Sequence, residues 1–235
     1  MIKFFRKIRQ SLLSENKFSK YLLYAIGEIA LVIIGILIAL AINKKNTDIE
    51  NIKLRDLYLI QLNEEINVNL QKLNNYKDRA IAQITELDTL VDILRNKEYD
   101  NPKLLLKSRY LYIIQRFNPT TTTYENLKYS GDLKLFKDLK LRNSISKAYD
   151  TFNEINVWEE NDIKWTDNYG QGYLVSNARL MNLDLSKDNF GKDLYFENVV
   201  LVRRTTLRQL KDRYEESIKS LKELKAIFAD LQKSK

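Results

Sequence analysis

Residues 21–42 read YLLYAIGEIALVIIGILIALAI, 22 positions with a single charge, Glu28. A helix apolar on every side has to be covered, by protein or by lipid. At about 1.5 Å per residue this one would be about 33 Å long, enough to cross the hydrocarbon core of a bilayer. A transmembrane helix is the expectation. Ala39, Leu40 and Ala41 match the small-x-small pattern of signal-peptide cleavage, but the run is longer than a signal peptide's apolar region and follows a 20-residue leader, so a retained anchor is preferred.

The leader, residues 1–20, carries six cations, among them Lys3, Arg6, Lys7 and Arg9, against one acid, Glu15. Lys44, Lys45, Lys53 and Arg55 follow the apolar run. The bias toward the leader orients the N-terminus to the cytoplasm and residues 43–235 outside it. Ile2, Phe4, Phe5, Ile8, Leu12 and Leu13 interleave with those cations, which suits either an amphipathic helix on anionic lipid or a plain orientation signal. Glu28 lies about two turns into the span, where an ionisable group costs several kcal/mol and is usually paired, protonated or functional. At 100° per residue, Gly35 and Ala39 fall within about 20° of it. Glu28, Gly35 and Ala39 therefore define a candidate helix–helix contact, with snorkelling of a protonated Glu28 as the alternative.

Composition removes whole classes of chemistry. With neither Cys nor His, the chain cannot form a disulfide, a Cys/His zinc site, a cysteine protease centre or the usual serine triad. The net charge of +8 raises nucleic-acid binding, but the excess is concentrated in the leader, and elsewhere Lys and Arg alternate with Asp and Glu as on solvated helix faces. No nucleic-acid partner is expected.

Beyond the anchor the sequence is helical in period. Ile52, Leu59, Ile66, Leu73, Ala80, Leu87 and Leu94 recur every seven residues, predicting a helix of about 50 residues that ends before Asn101-Pro102. A second heptad series, Leu207, Tyr214, Leu221 and Phe228, predicts a terminal helix over 203–235. The two are expected to pack antiparallel to one another, or each with its copy in a second protomer. Between them, residues 103–117 read as a helix, and Thr122 and Glu125 have the spacing of a capping box. Ser130-Gly131 reads as a helix stop, and 138–168 as a further helix burying Leu141, Ile145, Tyr149, Phe152 and Ile155. Glycines 170 and 172 mark a break, and 173–191 is the least periodic stretch. The fold class expected is all-α: a transmembrane helix followed by an elongated antiparallel bundle with coiled-coil-like helices. Three divisions result: leader 1–20, span 21–42, helical domain 43–235.

Complete chemical motifs are absent from the sequence. The glycines around Gly170 and Gly191 lack the rest of a phosphate cradle. Ser14-x-x-Lys17 and Ser144-x-x-Lys147 lack their companion motifs. Asp184, Ser186 and Asp188 imitate a calcium loop, but Asn189 replaces its glycine and Tyr195 its bidentate acid. The pairs Glu64-Glu65 and Glu159-Glu160 read as solvated faces, since consecutive helical residues point about 100° apart. No cofactor and no metal site are expected. Tyr124, Tyr129, Trp158 and Trp165 are candidates to line a ligand or partner groove, or else belong to the core.

The stretch FFRKIRQSLLSENKFSKYLLYAIGEIALVIIGILIALAIN, within residues 1–43, resembles the N-terminus of a family of uncharacterised single-pass membrane proteins common in Bacteroidota. The segment YENLKYSGDL at 124–133, with Leu141-Arg142 after it, is similar to that family's second recurring element. Lys44-Lys45 stand where the family usually has a Gln-Ile-Asn-Asn-Trp type sequence. The resemblance implies a single-pass topology and a bacterial inner-membrane location, and it carries no activity over to this chain.

The function expected is non-enzymatic: a structural or protein-interaction component of the cell envelope, held by lipid, assembling as a homo-oligomer or with an envelope protein. A membrane-anchored sensor whose bundle binds a small ligand or peptide is the alternative, and an enzyme the third option.

Overall fold

Each apolar period matures into a helix, and the polar residues embedded in those periods set how the helices are joined. The structure, a computed structural model, describes residues 18–179, 181, 184–185 and 190–233. Helix α1 is Phe18–Arg95, and α2, Lys103–Ser108, runs into a 3₁₀ turn, Arg109–Leu111. Helix α3, Thr122–Ser130, is followed by a second 3₁₀ turn, Asp132–Leu135. Helix α4, Leu139–Trp165, passes through a π turn, Thr166–Gly170, into α5, Gln171–Asn177. Strands β1, Ala178–Arg179, and β2, Asp184–Leu185, form a short antiparallel ladder with Ala178 opposite Leu185 and Arg179 opposite Asp184. Helix α6 is Leu194–Lys233. Among the described residues the fold is all-α apart from that ladder.

The chain divides into two units, Met1–Asp56 and Leu57–Lys235. In the first, the large side chains Leu22, Leu23, Ile26, Ile29, Leu31, Val32, Ile33 and Ile34 are all at least half exposed, as are those that follow to Ile42. Among the described residues this apolar surface is uncovered, and it is long enough to cross a membrane. The leader cations Lys3, Arg6, Lys7 and Arg9 lie outside the described residues, as do Ser186 and Asp188 of the calcium-like spacing.

In the second unit, α1, α4 and α6 share one core. The heptad residues Leu59, Ile66, Leu73, Ala80, Leu87 and Leu94 are buried with Leu207, Tyr214, Leu221 and Phe228 of α6. Each fully buried aliphatic or aromatic side chain contributes about 1.5–3 kcal/mol. Polar pairs define the direction of packing. Lys225 donates to Asn67 at 2.6 Å, while Arg204 and Arg208 reach Asp88 at 3.2 and 3.1 Å, so α6 runs antiparallel to α1. Helix α4 also runs antiparallel to α6, with Thr151 against Ser217 at 2.8 Å and Asp162 against Arg203.

Three local expectations change. Residues 103–117 form one short helix and a turn, and 113–121 carry no regular structure, because side chains from three helices take up their backbone groups. Gly170 and Gly172 do not break the helix. A Cβ at Gly170 would stand 2.6 Å from the Leu111 carbonyl oxygen, so glycine there lets the π turn lie against the 3₁₀ turn. The stretch 173–191 is not wholly loop, since α5 and the β ladder occupy part of it.

Candidate functional site

An irregular segment that enters a helical core needs a hydrogen-bond partner for every buried backbone group. Six backbone groups of residues 113–120 find theirs on α1, α4 and α6, and the Thr121 carbonyl accepts from Glu125 of α3. From α1, the Asn69 side chain donates to the Thr120 carbonyl at 2.7 Å and accepts from its N–H at 2.8 Å. Also from α1, Tyr76 donates to the Arg116 carbonyl at 2.6 Å and Lys72 to that of Asn118 at 2.9 Å. The Phe117 N–H donates to both oxygens of Glu159 on α4, each at 2.9 Å. Arg203 of α6 donates to the Ile113 carbonyl at 2.6 Å. The segment is a strap, drawn into the bundle by side chains rather than by a ladder.

The same side chains tie the helices together. Glu159 accepts from the Tyr214 hydroxyl at 2.6 Å, and Glu65 of α1 accepts from Tyr149 of α4 at 2.5 Å and from the Thr123 N–H at 2.7 Å. Arg203 and Asp162 form an ion pair with both side chains essentially inaccessible. Burial raises the Glu159 carboxyl above its usual range, against the hydrogen bonds from Tyr214 and Phe117 and the nearby charge of Arg116, which lower it. It also raises the Tyr149 and Tyr214 hydroxyls, to which Glu65 and Glu159 add. Burial pushes the Arg203 guanidinium down to about 10.

Beside the strap opens a cleft of about 610 Å³, within the size range of small-ligand sites. One wall is the strap, from Arg116 to Pro119; the second is α3, with Tyr124, Glu125, Lys128 and Tyr129. The third is the α4 face from Tyr149 to Asn156. Tyr124 stacks on Tyr149 with ring centroids 4.3 Å apart and an interplanar angle of 14°. Phe117 and Phe152 meet edge to face at 5.5 Å, giving the cleft an aromatic floor under a polar rim.

Of the four aromatics singled out from sequence, Tyr124 and Tyr129 line this cleft, Tyr129 being 81% exposed. Trp158 and Trp165 do not. Both pack against the core, and Trp165 meets Tyr169 at 6.0 Å. Ser130 ends α3 and Gly131 follows with φ 73°, the left-handed conformation of a helix stop. The capping pair is displaced by one residue: Thr121 precedes the helix and donates its hydroxyl to Glu125 at 3.0 Å, while Glu65 takes the Thr123 N–H. On α1, Gly35 has nothing within 4 Å of where a Cβ would stand, Ala39 is exposed and Glu28 is half-buried.

The solvated-face reading of the two acid pairs is corrected. Glu65 is 5% exposed and Glu159 1%, each with its polar partners, while Glu64 and Glu160 face solvent. The missed residues carried a signal. Reading Leu59 and Leu62 as the two core positions of a heptad puts Asn69, Tyr76 and Gln83 in the register of Leu62. In α6 the same register places Arg203 and Ser217 beside Leu210 and Leu224. In α4 the buried series Leu141, Ile145, Ala148, Phe152 and Ile155 continues through Glu159 and Asp162 and into the π turn at Thr166. Polar residues at core positions announced a polar seam.

Among the described residues no group of three or more Asp or Glu is placed to hold a metal ion. No family model, curated protein or solved structure matches the chain.

Proposed function

We propose that this chain is a single-pass membrane protein acting without chemistry of its own, as a structural or protein-interaction component of the cell envelope. The observation that carries the reading is the outward-facing apolar surface of α1 from Leu22 to Ile42, which requires lipid or another transmembrane helix to cover it. The cation-rich leader supports a cytoplasmic N-terminus and an extracytoplasmic helical unit. The resemblance of residues 1–43 to Bacteroidota membrane proteins supports the inner membrane as its site. The polar seam supports a non-enzymatic role, because Glu65, Glu159 and Asp162 hold backbone N–H groups, phenols or a guanidinium instead of facing a substrate.

The test is the mass and composition of the full-length protein purified in mild detergent from its native membrane. A stoichiometric second protein, or a defined homo-oligomer, is the expected result. A bare monomer overturns the reading. A second reading, a membrane-anchored sensor, is favoured by the cleft between the strap, α3 and α4, whose aromatic floor and polar rim have the make-up of a ligand site.

A further inference from the structure

The two ends of the cleft can be ordered along α4. The bond from the Phe117 N–H to Glu159 places Arg116 at the Asn156 end, and the stacking of Tyr124 on Tyr149 places Glu125 and Lys128 at the Asp150 end. Six residues of helix separate Asp150 from Asn156, about 9 Å. A three-residue peptide in extended form covers about 10 Å.

Arg116, Glu125, Lys128 and Asp150 are all exposed, and among the described residues none of them takes part in an ion pair. Glu125 and Lys128 stand three apart on α3, a spacing at which Arg213 and Glu216 of α6 do pair, at 2.7 Å. The cleft thus keeps charges of both signs available to an occupant. A polyanion would meet Glu125 and Asp150, and a polycation would meet Arg116 and Lys128; a molecule with one charge of each sign at opposite ends satisfies both. Between the ends, Asn118, Asn153 and Asn156 line the cleft with side-chain amides that carry both donors and acceptors, Asn156 giving one donor to Glu160 at 3.4 Å, and such groups match the alternating groups of a peptide backbone. Below them Phe117, Phe152 and Tyr124 suit an apolar central side chain.

We propose that the cleft binds an extended zwitterionic tripeptide, its terminal carboxylate at Arg116, its ammonium at Asp150 and Glu125, and an apolar side chain over the aromatic floor. This inference rests on the sensor reading and names its ligand class. Lys128, beside Glu125, limits that end to a single ammonium.

The experiment is calorimetric titration of the full-length protein in mild detergent with Ala-Phe-Ala, its N-acetylated form, its C-terminal amide, and the neutral disaccharide trehalose. Saturable binding of the free tripeptide is expected, with each capped form at least tenfold weaker. The Arg116→Gln variant should lose discrimination against the amide and keep it against the acetylated form, and Asp150→Asn the reverse. Both side chains are exposed, and circular dichroism checks that each variant keeps its helices. Equal binding of free and capped peptides, or variants that leave the discrimination intact, overturns the zwitterion assignment. Binding of trehalose in preference to the peptide overturns it as well, while leaving the cleft a ligand site. Failure of all four probes to bind saturably removes both the tripeptide inference and the ligand reading behind it.

Discussion

A carboxylate buried among backbone and phenol donors is held by hydrogen bonds but opposed by desolvation, and at Glu159 desolvation is the larger effect. Its native pKa lies above that of the unfolded chain, so the native state binds the proton more tightly. The associated stability is full below the ordinary carboxyl value of 4.5 and is lost as pH rises through the raised native value. Urea unfolding between about pH 4 and 8 should show that loss, and Glu159→Gln should flatten the profile over the same interval. An unchanged slope in the variant would assign the pH dependence elsewhere. The neighbouring Arg203–Asp162 pair behaves differently because both charges are dry. Arg203→Met strands Asp162 and should cost about 3–5 kcal/mol in denaturant unfolding, whereas Arg203→Met with Asp162→Leu should recover the part due to the stranded charge and leave the loss of the Ile113 carbonyl's partner. At Gly131 the constraint is backbone conformation: with φ at 73° and open space around it, the position rejects a β-branched residue for strain, not for bulk. Gly131→Val should destabilise by about 1–2 kcal/mol with membrane insertion unaffected, as read from denaturant midpoint and membrane fractionation.

The strap is the element whose conformation depends most on other elements. Residues 113–120 have no ladder or helical structure of their own, and Thr121 only the first bond of α3, its carbonyl accepting from the Glu125 N–H at 2.8 Å, so each side chain that holds the strap is a separate point of attachment. Asn69 alone satisfies both the N–H and the carbonyl of Thr120. Replacing it with Leu, which suits the helix and the heptad, leaves two backbone groups short and should cost about 1–3 kcal/mol for each that stays buried. The visible consequence should be faster proteolytic cleavage within 113–121 at unchanged helix content; protection equal to the parent would mean that the strap does not need Asn69. The π turn at Thr166–Gly170 is the counterpart within a helix. It lets α4 run on into α5 past the Leu111 carbonyl, a route open only because residue 170 has no side chain.

At the scale of the molecule, the decisive property is the apolar surface of α1 from Leu22 to Ile42, uncovered among the described residues. Gly27 and Gly35 of α1 leave open space on a helix whose neighbouring large side chains all project outward. Close approach of a second transmembrane helix is the arrangement that small residues favour, and an acid near such a contact adds a hydrogen bond across it. Gly35→Leu should therefore weaken association of full-length copies in detergent by bulk, and Glu28→Gln should weaken it if the charge pairs across the contact. Sedimentation or crosslinking of both variants reads this directly, and association equal to the parent's in both would remove the Glu28, Gly35 and Ala39 face from the assembly.

Periodicity by itself determined the helices. The seven-residue recurrences from Leu59 to Leu94 and from Leu207 to Phe228, and the unbroken apolar run before them, are local statements about which side of a helix avoids water, and they need no knowledge of the partner. The stop at Gly131 was equally local, because a left-handed residue is a property of one position. Tertiary structure alone decided what the polar residues in the core stripes were for. Asn69, Glu159 and Arg203 sit in apolar registers, and their partners, Thr120, Phe117 and Ile113, lie between 42 and 90 positions away in the chain. No window of sequence contains both ends of such a bond. The acid pairs were misjudged for the same reason: adjacent carboxylates point to different sides of a helix, and which side faces protein depends on how α1, α4 and α6 close around the strap. The cleft has the same origin, since its walls come from three segments that meet only when buried backbone groups draw the strap inward to be satisfied.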